Sequence, residues 1–340
     1  GGGGGGYSGG GGGDENGGGG GAGSFANDTL LTALVKTSNG RVENPKHGYI
    51  QYQFRDPLNQ AVQSAKDLTK CLDLYKGITD NGNNIQLYEC TGRSPQQWIL
   101  EGLYIRLAKD PNKCMDLNQS NSAVYLYDCN GETSQQWVYD GLSGAFRSAI
   151  YPREACLGLM NGSTANDTDV KVIPCTGDNI SLTQQWLMER VSLVDNSSSV
   201  KTIHLAQDTD MCLDLYKGIT DNSTSQVQLY ECTGRSPQQW VFDGLRIKYN
   251  QDQNKCVNLD GGNTSNGTKI KVRDCYDDLD MARQQWVYDG LTQSFRSGKD
   301  PKKCLTVEND ENEKASTFEN DQKVKLYDCD GSSAQQWVIE

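Results

Sequence analysis

Short runs in which apolar and polar residues alternate recur along this chain, as in Ile85–Tyr88 and Val124–Tyr127, and Gly, Asn and Asp separate them. A period of two puts the apolar side chains of a strand on one face, and the turn residues end each strand after a few positions. The pattern predicts an all-β protein. Tyr49-Ile50-Gln51-Tyr52-Gln53-Phe54 alternates in the same way between Gly48 and Asp56-Pro57. It predicts a strand that either packs on its own domain or adds to the sheet edge of a partner. Ahead of it, residues 1–24 are a glycine tail interrupted by Tyr7 and Asp14-Glu15-Asn16. Such a tail is a flexible linker, or it is a set of side-chain-free strands that dock on neighbouring subunits and drive assembly.

A second pattern overlies the first. Gln96-Gln97-Trp98, Gln135-Gln136-Trp137, Gln184-Gln185-Trp186, Gln238-Gln239-Trp240, Gln284-Gln285-Trp286 and Gln335-Gln336-Trp337 hold all 6 tryptophans of the chain. A residue type confined to one recurring position fills one recurring slot, and a period of roughly 40–50 residues marks an internally repeated fold. Two cysteines precede each Trp: Cys71 and Cys90, Cys114 and Cys129, Cys156 and Cys175, Cys212 and Cys232, Cys256 and Cys275, Cys304 and Cys329. The stretch Cys71-Leu-Asp-Leu-Tyr-Lys-Gly-Ile-Thr-Asp-Asn81 reappears unchanged at 212–222, residues 87–98 at 229–240, and Val138-Tyr-Asp-Gly-Leu142 at 287–291. The repeats therefore fall into two sets of three. The expected layout is a tail at 1–24, an extended arm at 25–60, a repeat domain at 61–190, a linker at 191–200 and a second repeat domain at 201–340.

An even count of regularly spaced cysteines argues for disulfides and an oxidising compartment. Cysteine-ligated zinc is the alternative, but no CxxC occurs and the chain has only His47 and His204. Asn-x-Ser/Thr occurs at Asn27, Asn118, Asn161, Asn166, Asn179, Asn196, Asn222, Asn263 and Asn266, which points to a secreted, extracellular glycoprotein. The chain begins at Gly1 and not Met, so a signal peptide is expected either to have been removed or to lie outside this sequence. No apolar run approaches membrane-spanning length, and no membrane insertion is expected. A net charge of −12 argues against nucleic acid, which needs clustered Lys and Arg.

Three copies of Cys…Cys…Gln-x-Trp per domain resemble the ricin B-chain type (R-type) lectins, which are β-trefoils. The resemblance covers about residues 61–340. It implies two tandem β-trefoils behind a glycine-rich arm, each with twelve short strands in three lobes (α, β, γ) around a pseudo-threefold axis. It also implies that the six Trp are core, that the glutamine of the motif fixes a turn, and that each cysteine pair closes a disulfide inside its own lobe. Such a closure contributes about 3 kcal/mol on the chain-entropy model.

In that family a sugar lies between an Asp two residues after the first cysteine and an aromatic two residues before the second. A sugar has a C–H face and a hydroxyl rim, so its site needs an aromatic plane and charged acceptors. The first α lobe matches with Asp73 and Tyr88, joined by Gln86. The first β lobe matches with Asp116 and Tyr127, and the second α lobe with Asp214, Gln228 and Tyr230. The other lobes depart from the pattern: Gly158 and Ile173 in the first γ, Asn258 and Arg273 in the second β, Thr306 and Tyr327 in the second γ. Family sites often add an Asn just before the motif glutamine, where this chain has Pro95, Ser134 and Pro237. The competing reading is that Asp73, Asp116 and Asp214 cap turns.

Sequons crowd these loops. Asn118 follows Asp116, Asn222 lies between Asp214 and Tyr230, Asn161 and Asn166 fill the first γ loop, and Asn263 and Asn266 fill the second β loop. Only the first α lobe combines all the site residues with no sequon of its own, which makes Asp73 with Tyr88 the leading site. Neither His lies in a motif position, no GxSxG, HExxH or P-loop occurs, and runs such as Asp277-Asp278 are solvated faces. The expected protein is a non-catalytic lectin, with neither metal nor cofactor, that binds glycans or glycoproteins multivalently and self-associates. A structural subunit of an extracellular filament, or the binding module of a toxin or glycosidase, would carry the same features.

Overall fold

The computed structural model describes residues 59–340, apart from 153, 177–179, 189–192, 194–199, 222–223, 277–278 and 310–313. The glycine tail, the strand at 49–54, His47, nearly all of the 191–200 linker, Asp277-Asp278 and the sequons at Asn27, Asn179, Asn196 and Asn222 lie outside the described residues.

The fold is all-β, with short 3-10 turns between strands. The first α lobe runs Val62–Ser64, Asp67–Leu74, Asn83–Glu89 and Trp98–Glu101. The first β lobe follows as Tyr104–Leu107, Asp110–Leu117, Val124–Asp128 and Trp137–Asp140. The first γ lobe is Ala145–Ser148, Ala155–Leu159, Thr168–Pro174 and Trp186–Met188. The last strand of each lobe pairs with the first strand of the next, and Trp186–Met188 returns to Val62–Ser64 to close the ring. Ile203–Leu205 to Trp337–Ile339 repeats the plan, with the closing pair between those two strands. These are two β-trefoils, as the motif count implied. The first begins slightly before residue 61, because Asn59–Gln60 pairs with Ile99 and Trp98; Lys201 makes the matching bridge to Trp240.

One set of bonds recurs in every lobe and accounts for the motif. Each Trp is at most 2% exposed. Its Nε1 donates to the carbonyl of the residue after the first cysteine, at 2.9–3.2 Å: Leu72, Met115, Leu157, Leu213, Val257 and Leu305. A buried indole N–H needs such a partner. The first glutamine of each motif accepts a backbone N–H just beyond the second cysteine and donates to a carbonyl just before it, as Gln96 does with Thr91 and Glu89. Five more glutamines repeat this, fixing the turn as expected. Six disulfides join the cysteines within lobes, and no cysteine is free.

The repeated Val-Tyr-Asp-Gly-Leu stretch is where the trefoils meet. Gly141 N–H donates to Tyr288 O and Gly290 N–H to Tyr139 O, at 2.8 and 3.1 Å. Val138, Val287, Leu103 and Leu245 pack as one small apolar cluster across the seam. A Cβ on Gly141 would lie 2.7 Å from Gly290 Cα, so the close approach leaves no room for a side chain at Gly141. Behind it Asp140 and Arg147, and likewise Asp289 and Arg296, form buried ion pairs. No helix among the described residues is long and apolar enough to cross a membrane.

Candidate functional site

The second and third strands of a lobe carry the expected site residues, and their register sets them face to face. In the first α lobe Cys71 pairs with Tyr88 and Asp73 with Gln86; in the second, Cys212 pairs with Tyr230 and Asp214 with Gln228. Both Asp side chains are buried, at 8% and 7% exposed, while Tyr88 and Tyr230 are partly open. Gln86 Nε2 donates to Asp73 Oδ1 at 3.2 Å, and Gln228 Nε2 to Asp214 Oδ1 at 3.0 Å. Burial lifts both carboxyls above the usual carboxylate range, partly offset by amide donors on Gln86 and Gln96, or Gln228 and Gln238. Each carboxylate is therefore held by neutral donors alone, and a hydroxyl arriving from solvent meets a strong acceptor.

The first β lobe brings Asp116 and Tyr127 to the same places, Tyr127 being 39% exposed. Here Asp116 accepts from Gln135 Nε2 at 2.8 Å, and the residue opposite it is Tyr125 rather than a glutamine. Tyr125 and Tyr127 stand edge to face, 6.0 Å between centroids. The sequence reading passed over Tyr125, although it lies four residues before its cysteine as Gln86 and Gln228 do.

That same position separates the other three lobes, where it holds Lys171, Lys271 and Lys325. In the first γ lobe a Cβ on Gly158 would lie 2.5 Å from Ile173 Cδ1, so the isoleucine fills the space of the missing acid. In the second β lobe Lys271 and Arg273 both pair with Asp260, at 3.2 and 3.1 Å, while buried Asn258 accepts from Gln284. In the second γ lobe Tyr327 is only 9% exposed. Its hydroxyl donates to Glu308 Oε1 at 2.6 Å, and Lys325 pairs with the same carboxylate at 2.5 Å. These pockets are filled by their own side chains.

Neighbouring lobes complete each pocket. Thr168 and Asp169 of the first γ lobe pair with Leu87 and Gln86, and the Asp167 charge opposes ionisation of Asp73. Asp321 does the same to Asp214. Asn166 also belongs to this wall: its Oδ1 accepts from Lys70 Nζ at 2.7 Å and from Glu89 N–H at 3.0 Å. The first α lobe thus carries no sequon of its own but borders one from the γ lobe.

His204 occupies a repeat slot the sequence did not reveal. Gln63, Arg106, Arg147 and Arg296 each cross from the first strand to the carbonyl five residues on, and His204 Nδ1 meets Thr209 O in the same way at 2.8 Å. Its ring lies near Cys212 and Cys232, but those sulfurs are bonded to each other and offer no thiolate to a metal. A cleft of about 880 Å³ opens where the trefoils adjoin, lined in part by Ser122, Tyr151, Ile173, Leu245 and Met281; none of the eight expected site residues lines it.

The ricin-type beta-trefoil lectin domain model matches residues 59–186, 143–286 and 249–340. Among solved structures, the agglutinin from Abrus precatorius is 19% identical, with a TM-score of 0.34; 86% of this chain and 99% of that one are covered. A non-toxic homologue of type II RIPs from Momordica charantia (bitter gourd), in complex with alpha-methyl-D-galactoside, is 19% identical with a TM-score of 0.33, covering 83% of this chain and 96% of that one. A mosquitocidal holotoxin is 19% identical with a TM-score of 0.35; 86% of this chain is covered, but it spans only 34% of that one. No curated protein matches the chain significantly.

Proposed function

This chain belongs to the ricin-type β-trefoil lectin family, and from that premise we propose that it binds glycans through three of its six lobes and catalyses no reaction. The observation that carries this reading is the ion-free carboxylate of Asp73 and of Asp214, each beside a partly open tyrosine. The Asp accepts from two sugar hydroxyls while the Tyr ring covers the C–H face. Gln86 and Gln228 orient the acceptor, and Asp116 with Tyr127 and Tyr125 forms a third, more aromatic site. The six disulfides support an extracellular, secreted protein. Several weak sites on one chain favour multivalent targets, and self-association through the glycine-rich arm would multiply them.

Glycan-array binding of Asp73→Ala, Asp116→Ala and Asp214→Ala variants tests the reading. A charged hydrogen bond worth about 1.5–3 kcal/mol corresponds to a loss of roughly 10- to 100-fold at the altered site. The triple variant is expected to lose binding altogether while unfolding like the parent. Undiminished binding by the triple variant would show that the sugar goes elsewhere.

A further inference from the structure

The two α lobes share their pocket residues and nearly all of the surrounding sequence, yet their walls differ at one chemically decisive point. In the first trefoil the wall is Asn166-Asp167-Thr168, a sequon; in the second the equivalent wall is Asn320-Asp321-Gln322, which is not. The two are built alike. Asn166 Oδ1 accepts from Glu89 N–H at 3.0 Å, and Asn320 Oδ1 from Glu231 N–H at 2.7 Å. Thr168 pairs with Leu87 as Gln322 pairs with Leu229. Glu89 and Glu231 directly follow the stacking tyrosines.

Both bonds made by Asn166 use its carboxamide oxygen. An N-linked glycan is attached through the nitrogen, so glycosylation leaves this clasp between lobes intact, and the side chain is exposed. The attached sugar would then emerge beside Tyr88, and a glycan is a bulky, polar polymer. We infer that Asn166 is a modification site whose glycan covers the first α pocket, leaving the second α pocket as the open one. The sequon at Asn222 stands, in the repeat, where the first trefoil has Asn81. The Asn81 carboxamide grips Asp128 of the next lobe. This inference rests on the α pockets binding sugar.

Two reporters separate the gate from its premise. One retains only the first α pocket (Asp116→Ala with Asp214→Ala), the other only the second (Asp73→Ala with Asp116→Ala). Both are secreted from a eukaryotic host and applied to an array of mono- and oligosaccharides. Peptide mass spectrometry is expected to find Asn166 occupied, and the first reporter to bind at least tenfold more weakly than the second. Removing the sequon with Thr168→Ala should bring the first reporter up to the second and leave the second unmoved. Thr168 hydrogen-bonds Ser163 and Ala165, so endoglycosidase trimming of the folded parent reporter supplies the same comparison without a substitution. An unoccupied Asn166, or a first reporter that binds as well with its glycan as without it while the second also binds, overturns the gate. If neither reporter binds any sugar in any form, the lectin reading falls and takes the gate with it.

Discussion

In the first α lobe the acid stands on the second strand at Asp73, opposite Gln86; in the second γ lobe that place is Thr306, opposite Lys325, and the acid is Glu308, two residues further on. Both carboxylates are buried. The first is held by amides, and its burial lifts its protonation above the usual range. The second is tied to an ammonium and a phenol at 2.5 and 2.6 Å. One faces amide donors and, among the described residues, no cation; the other is neutralised by a lysine inside the fold. The lobes divide by what faces the place of that Asp, at the position four residues before the second cysteine: Gln86, Tyr125 and Gln228 stand opposite an Asp, and Lys171, Lys271 and Lys325 stand where the Asp is missing.

Breaking the filled lobe gives the largest effect. Glu308→Gln strands a lysine whose side chain is only 11% exposed, and losing one partner of a buried pair costs about 3–5 kcal/mol. Denaturant unfolding of the second trefoil should show this without any change in sugar binding. A moderate effect is expected from forcing an acid into the first γ lobe. Gly158→Asp collides with Ile173 and should cost about 1–3 kcal/mol, as overpacked cores do; adding Ile173→Tyr should recover most of the loss and create weak glycan binding.

The smallest change in stability belongs to Asp73→Asn, which should leave the unfolding free energy unchanged or higher while binding at that lobe disappears. The sign follows from the raised pKa. The folded chain holds this proton more tightly than the unfolded chain, whose value is near 3.8. This group therefore favours the fold increasingly as pH falls through the folded value. The pocket loses its acceptor over the same range. Binding should accordingly fade at a pH above 3.8 with no parallel loss of stability from Asp73, which calorimetry and array binding across pH would compare.

The trefoils were legible because their slots sit at fixed distances from the cysteines and the tryptophan: the repeat itself marked Gln96 and Trp98, and the resemblance to R-type lectins then pointed to Asp73 and Tyr88. The lysines opposite the empty acid positions obey the same spacing, but only the paired strands show that they face the place of the acid. The Asn166–Asp169 wall was hidden for a physical reason. It reaches the first α pocket from nearly 80 residues away in sequence, and only the closed ring of lobes brings it there. The repeated Val-Tyr-Asp-Gly-Leu stretch marked a duplication, but nothing local says that the two copies touch.

That contact has a consequence for how the halves stay paired. The seam is self-complementary, like the face of a twofold dimer: four apolar side chains cluster at its centre, and Leu142 and Leu291 each pack on the core of the opposite trefoil. Joining the halves in one polypeptide makes their encounter intramolecular, at an effective concentration in the millimolar range for a short tether. A protease cut in the connecting residues would therefore leave the pair to the seam's own contacts, and dilution of the cut protein would show whether they suffice.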